Sequence, residues 1–372
     1  MINVLIVEDS PVVREFLIYI LSSDPQIHII GIATNGEEAL KAAGKKKPDV
    51  ITMDIHMPKM DGFEATRRIM ETNPVPIIIV SGSSTTDEVA TTFHALEMGA
   101  LTVVPRPNGL GHAEYETTAK ELIQTVKLMS EVKVVRRWAR PSRDATPAPR
   151  LPPDRDTGVK HAHSAKIGLV AIGASTGGPQ VLQTILSALP GDFSAPVLIV
   201  QHIATGFLQG LVEWLAGSCA LPIRIARHGE SLLAGQVYAA PDGNQMGVRQ
   251  GGIINLSPGE PEHGHRPSVS YLFRSVAEVY GRNAIGILLT GMGKDGAEGL
   301  KQMKERGAVT IAQDEKTSIV FGMPAEAINQ DAVMYVLTPE EIAAKLKACS
   351  TPEKTRNIND PGHRGYGNDT EN

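Results

Sequence analysis

Cysteine, aromatic residues and long apolar runs are scarce in this chain, and each scarcity removes a class of protein. Its 372 residues include two cysteines, Cys219 and Cys349. Two thiols cannot make a disulfide framework or, by themselves, a four-thiolate zinc site. Aromatics amount to 4%, so any core must be aliphatic. No apolar run approaches the roughly 18 residues that span a bilayer. Positive charge is not in excess either. Lys+Arg number 36 against 41 Asp+Glu, a net charge of −5, which argues against a nucleic-acid binder that works through bulk charge. The opening MINVLIVEDS has no basic n-region and meets an acidic pair at once, unlike a secretory signal. What is present, 42% hydrophobic and 21% charged residues over the length of about two domains, predicts a soluble, cytoplasmic protein.

Two stretches repeat a strand–loop–helix rhythm. In the first, INVLIV (2–7), HIIGIA (28–33), DVITMD (49–54), PIIIVS (76–81) and LTVVP (101–105) are continuously apolar, which suits strands buried on both faces. Segments with apolar residues at helical spacing, such as 11–23 and 62–73, separate them. Five such units predict a five-stranded parallel sheet with helices on both faces over residues 1–129. Between residues 130 and 166 the rhythm stops. Pro141, Pro147, Pro149, Pro152 and Pro153 sit among nine Lys/Arg and four Asp/Glu, a composition that cannot bury enough surface to fold. Residues 130–165 therefore read as a flexible linker. A second α/β pattern follows over 166–348, with strands expected at 166–173, 195–201, 235–241, 284–291 and 308–313, and predicts a doubly wound domain. The tail, 349–372, lacks periodic apolar residues and reads as disordered.

In an open parallel sheet, function collects at the carboxyl ends of the strands. In the first domain those ends carry Glu8, Asp9, Asp54, Ser81 and Arg106. Three carboxylates on one rim repel unless a cation joins them, and an all-oxygen ligand set suits Mg²⁺. A carboxylate beside Mg²⁺ can accept a phosphoryl group, which a hydroxyl and a guanidinium would then read. The motifs LIVEDS (5–10), MDIHMPKMDG (53–62), VSGSS (80–84) and Pro-Arg-Pro (105–107) resemble the receiver domains of two-component response regulators. That resemblance implies a flavodoxin-like fold, Asp54 as phosphoacceptor, Glu8, Asp9 and Asp54 as Mg²⁺ ligands, Ser81 as switch hydroxyl, and a histidine kinase as phosphodonor. Receivers carry Lys where Arg106 stands and usually an aromatic where Val103 stands. Arg keeps the charge but not the compact ammonium geometry.

In the second domain, GASTG (173–177) matches G-x-S-x-G, a strand–turn–helix elbow that exposes a serine, Ser175, above a sheet. A dinucleotide site is disfavoured, because GASTGG does not fit G-x-G-x-x-G and the next strand ends in Gln201-His202 rather than an acid. His202 can serve as base, and Asp295 in LLTGMGKDG (288–296) can hold its tautomer. The order Ser…His…Asp differs from that of α/β-hydrolases. GASTGGP (173–179), VQHI (200–203), HRPSV (265–269), LLTGMGKDGAEGL (288–300) and IAQDEKTSIVFGMPAEAI (311–328) resemble the catalytic domain of chemotaxis protein-glutamate methylesterases. Receiver, linker and this domain occur in that family's order.

The resemblance implies Ser175 as nucleophile, His202 as base, Asp295 as its orienter, and Thr176 and the Met292 amide as oxyanion contacts. No cofactor is expected for the esterase step. The implied activity is hydrolysis of glutamate γ-methyl esters on methyl-accepting chemoreceptors, with release of methanol and deamidation of receptor glutamines. It would be controlled by phosphorylation, with the unphosphorylated receiver covering the site. Contact with membranes is expected only through receptors. The alternative is a phosphorylation-controlled adaptor of the same architecture without turnover. A DNA-binding output would need a basic recognition helix, which residues 167–348 do not supply. His161-x-His163 and His263-x-His265 offer two imidazoles each and make weak metal sites. Cys219 is expected to be buried rather than reactive.

Overall fold

The computed structural model describes residues 1–82, 86–134 and 167–350. Most of the expected linker, from 135 on, and all but the first two residues of the expected tail lie outside that range.

The N-terminal unit runs β1 (Ile2–Val7), α1 (Pro11–Ser22), β2 (Ile27–Ala33), α2 (Gly36–Lys46), β3 (Val50–Met53), α3 (Gly62–Thr72), β4 (Ile77–Ser81), α4 (Thr86–Met98), β5 (Thr102–Pro105) and α5 (Tyr115–Ser130). Its strands lie in the order β2-β1-β3-β4-β5, and every pairing is parallel. All residues of β3 and β4 are buried, as an apolar strand sandwiched between helix layers requires. Local capping places the helix starts. Asn35 accepts the Glu38 N–H while Glu38 accepts from the Thr34 N–H and hydroxyl, and Asp61 accepts the Glu64 N–H. Proline stands in the first turn of α1, where a missing N–H costs nothing.

The C-terminal unit runs β6 (Leu169–Ala174), α6 (Gly178–Ser187), β7 (Val197–Gln201), α7 (Leu208–Ala216), β8 (Ile223–Ile225), β9 (Val237–Ala239), β10 (Gln245–Arg249) and β11 (Ile253–Ser257). It continues through α8 (Val269–Tyr280), β12 (Ala284–Leu288), α9 (Ala297–Glu305), β13 (Val309–Gln313), α10 (Met323–Asn329), β14 (Tyr335–Leu337) and α11 (Pro339–Ser350). Seven parallel strands take the order β14-β13-β12-β6-β7-β9-β8, and β10 and β11 form a separate antiparallel pair. From β6 the chain builds outward to one side, then crosses over to β12 and builds to the other. The crevice at the carboxyl ends of β6 and β12 is therefore the topological switch point, where doubly wound sheets place their sites.

The two units meet through α4 and α7. Phe93 stacks on Trp214 at 5.8 Å between centroids and meets Phe207 edge-on at 6.5 Å. The Trp214 indole N–H donates to Glu97 (3.0 Å), the Gln183 amide donates to the same carboxylate (3.2 Å), and the Gln180 amide donates to the Ala100 carbonyl (2.7 Å). Gly210 makes the close approach possible. A Cβ there would lie 2.6 Å from Val89 Cγ1 and 2.7 Å from the Ala90 backbone nitrogen.

Candidate active site

In the N-terminal unit, parallel pairing aligns the strand ends, and the loops after β1 and β3 bring Glu8, Asp9 and Asp54 together. Their carboxylate oxygens lie within 4.8 Å of one another. Glu8 is 1% exposed, and its Oε2 is buried without a hydrogen-bond partner. Burial, and then the Asp54 charge, pushes the Glu8 carboxyl up to about 7; burial also raises that of Asp54. An all-carboxylate set with a buried oxygen that accepts no hydrogen bond fits a hard divalent cation. Arg106, just past β5, reaches this rim with Nη2 3.6 Å from Glu8 Oε2 and 3.9 Å from Asp54 Oδ1. Its guanidinium lies over Gly82, where a Cβ would come within 2.7 Å of Cζ. A glycine beside the strand end thus makes room for Arg. Ser81, the last residue of β4, lies 3.4 Å from the Thr92 hydroxyl.

In the C-terminal unit, Ser175 immediately follows β6 and His202 immediately follows β7. The nucleophile-elbow geometry is held from several sides. The Ser175 N–H donates to the Thr290 carbonyl (3.0 Å), and the Ser175 carbonyl accepts from the Gly178 N–H and the Gln201 amide (both 2.8 Å). The Gln201 amide also donates to the His202 carbonyl at 2.8 Å, so one buried side chain ties the two loops together. The Thr290 hydroxyl donates to the Thr176 carbonyl (2.9 Å). Gly177 turns the chain at φ +79°, and Gly291 lies so close that a Cβ would stand 2.6 Å from Ser175 Cβ.

His202 Nε2 lies 3.0 Å from Asp295 Oδ2. Asp295 is 1% exposed, yet it collects three more donors: the Ser268 hydroxyl (2.9 Å) and the Val269 and Ser270 N–H groups (2.7 and 3.0 Å). These N–H groups open α8, so the carboxylate sits at a helix N-terminus, where the backbone favours negative charge. Burial alone would raise its pKa. The His202 contact and the Ser270 and Val269 amides outweigh burial and hold the carboxyl well below the usual range. The opposite edge of the His202 ring, Nδ1, is buried without a hydrogen-bond partner, so Ser175 Oγ does not bond to it in this state. Ser175, Thr176, His202 and Met292 all line one cavity of about 440 Å³ between the two units, with Val103 and Leu122 of the N-terminal unit on its other wall. The Met292 side chain is 49% exposed.

The remaining sequence candidates separate. His265 lies flat against His202, whereas His161 and His163 are outside the described residues. Cys219 is partly buried, and burial raises its thiol pKa. Sequence reading missed Ser268 and Gln201, whose roles depend on partners many residues away.

Residues 170–346 match the family model for CheB methylesterase, and residues 4–113 match that for the response regulator receiver domain. A protein-glutamate methylesterase/protein-glutamine glutaminase from Nitrosospira multiformis is 58% identical over 93% of this chain and 96% of its own length. The chain belongs to the CheB methylesterase family. A second CheB-family relative, from Syntrophus aciditrophicus and of the same name, is 56% identical over 93% of this chain and 97% of its own. The crystal structure of the Thermotoga maritima CheB methylesterase catalytic domain is 38% identical, covering 50% of this chain and 98% of that one at a TM-score of 0.48. The N-terminal unit of this CheB-family chain is its receiver, and the C-terminal unit is its methylesterase domain. Among the described residues, no helix is long and apolar enough to cross a membrane.

Proposed function

We propose that this chain is a phosphorylation-regulated protein-glutamate methylesterase that also deamidates protein glutamine. The observation that carries the reading is the buried His202–Asp295 pair, whose imidazole shares one cavity with Ser175 at the switch point of the sheet. Asp295 holds His202 through Nε2, which leaves Nδ1 as the lone pair that takes the Ser175 proton. Ser175 Oγ then attacks the γ-carbonyl of a glutamate methyl ester, and Thr176 and the Met292 backbone amide receive the oxyanion. His202 returns the proton to the leaving methoxide, which departs as methanol. A water that gives its proton to His202 attacks the acyl-enzyme, and collapse releases the carboxylate and restores the Ser175 hydroxyl. With a glutamine side chain, ammonia leaves in place of methanol.

The receiver controls this chemistry. Unphosphorylated, it walls the cavity with β5 and α5. Phosphorylation of Asp54 by a histidine kinase shifts the population toward an open arrangement. Glu8, Asp9 and Asp54 would hold Mg²⁺, which when bound would supply charge neutralisation for phosphoryl transfer. Arg106 and Ser81 face the phosphate once it is formed. The parts divide as receiver 1–129, linker 130–165, catalytic domain 166–348 and tail 349–372, acting in the cytoplasm on chemoreceptors. The test is methanol release from methylated receptor membranes by the chain and by Ser175→Ala. The substitution is expected to abolish release, and near-normal release by the variant would remove Ser175 as nucleophile.

A further inference from the structure

The mechanism above uses one imidazole, yet the cavity holds two. The His265 ring lies parallel to that of His202, 3.8 Å between centroids with 8° between the planes. His202 is pinned along one edge only, because Asp295 engages Nε2 and Nδ1 has no hydrogen-bond partner. A single hydrogen bond leaves the ring free to swing about that contact, and a parallel plate on its face blocks the swing.

The plate is itself held in a frame. Glu262 and His265 exchange backbone hydrogen bonds of 3.0 and 2.9 Å, and Glu262 is clamped in turn by both arms of Arg274 (2.9 and 2.6 Å). The buried Gln245 amide donates to the His265 carbonyl (3.3 Å) and accepts from the Ser268 N–H (2.8 Å). Ser268 then donates to Asp295. The segment that orients the acid thus also carries the second ring, and the two contacts on His202 share one scaffold.

We infer that His265 is a positioning residue, which holds the His202 ring in the plane from which Nδ1 can reach Ser175. Its charge state agrees with that role. Burial first, and then the His202 charge, depress His265 to about 4, while Asp295 opposes and His263 adds to the shift. At neutral pH the plate is therefore uncharged and sets no like charge against the His202 imidazolium that forms during acyl transfer.

The inference rests on Ser175 and His202 acting as nucleophile and base, so the test separates the two claims. Methanol release from methylated receptor membranes is measured for the phosphodonor-treated full chain and for His265→Ala, His265→Phe and Ser175→Ala. Loss of the plate is expected to lower kcat of His265→Ala roughly ten- to a hundredfold, as angstrom-scale misplacement of a catalytic group does. KM should stay within about twofold. His265→Phe keeps a planar ring without titratable nitrogen and should recover most of kcat. Equal melting temperatures of the two His265 variants would exclude a folding defect as the source of the difference. If His265→Ala keeps normal kcat, or if His265→Phe is as slow as His265→Ala, ring stacking does not position the base. Undiminished release by Ser175→Ala would instead overturn the nucleophile assignment, whatever the His265 variants do.

Discussion

Replacing Gly210 with alanine should switch the enzyme on without a phosphoryl group. Gly210 lies within α7, against the receiver's α4, and an added Cβ would stand 2.6 Å from Val89 Cγ1, 2.7 Å from the Ala90 nitrogen and 2.9 Å from the Val89 carbonyl carbon. Two of these three atoms are backbone and cannot rotate away, so the docked arrangement must give. Overpacking of this kind costs roughly 1–3 kcal/mol. At about 1.4 kcal/mol per tenfold, the docked-to-open ratio falls by about 5- to 150-fold. The same substitution favours α7 itself by roughly 0.5–1 kcal/mol, because alanine loses less backbone entropy than glycine in a helix. The two effects have opposite signs in two measurements. Basal methanol release from the unphosphorylated chain should rise by up to that ratio, while thermal stability of residues 167–350 alone should hold or increase. If basal release stays within twofold and stability is unchanged, the α4–α7 contact does not hold the cavity shut.

Three further outcomes follow from the same geometry. Asp295→Asn should lower kcat by about 10⁴, as loss of the orienting carboxylate does in a serine triad. Its stability profile gives a second readout. Asp295 is depressed in the folded state, so its contribution is present above the unfolded carboxyl pKa of about 4 and is lost as pH falls through the folded value. The Asn variant should therefore melt lower at pH 7, with a flatter decline into acid; parallel melting curves would contradict the assigned hydrogen bonds. Asp54→Asn should abolish stimulation by a small-molecule phosphodonor, and retained stimulation would place the phosphoacceptor elsewhere. Removing residues 1–165 should raise basal methanol release, whereas unchanged or lower release would count against occlusion by the receiver.

What was legible in the sequence was whatever the strand-end rule reaches. Glu8-Asp9 and Asp54 in one sheet, and Ser175 and Gln201-His202 in the other, stand at the ends of apolar runs, and parallel pairing brings such positions to the rim of each sheet. Asp295 was legible as a member of the site but not in its setting. Alone it reads as a cap for the helix that follows, α9, whereas it accepts from the start of α8, some 26 residues earlier. No local pattern announces a contact of that range. The short strands β8 and β14, three residues each, fall below what periodicity resolves. The β10–β11 pair, with Gln245, Arg249 and Asn255 among its residues, lacks the continuous apolar run that marks the other strands. The domain interface was silent for another reason. Phe93 in one unit and Gly210 and Trp214 in the other stand 117 or more residues apart, and nothing local marks them as partners until α4 and α7 cross.

The proposed coupling is chemistry at Ser175 governed from Asp54 through the receiver that walls the cavity. The most direct measurement is methanol release from methylated receptor membranes, with and without a phosphodonor, for the full chain and for Ser175→Ala. Release should rise on phosphorylation in the full chain and be absent in Ser175→Ala under both conditions. Release that persists without Ser175, or that ignores the phosphodonor, would contradict that coupling.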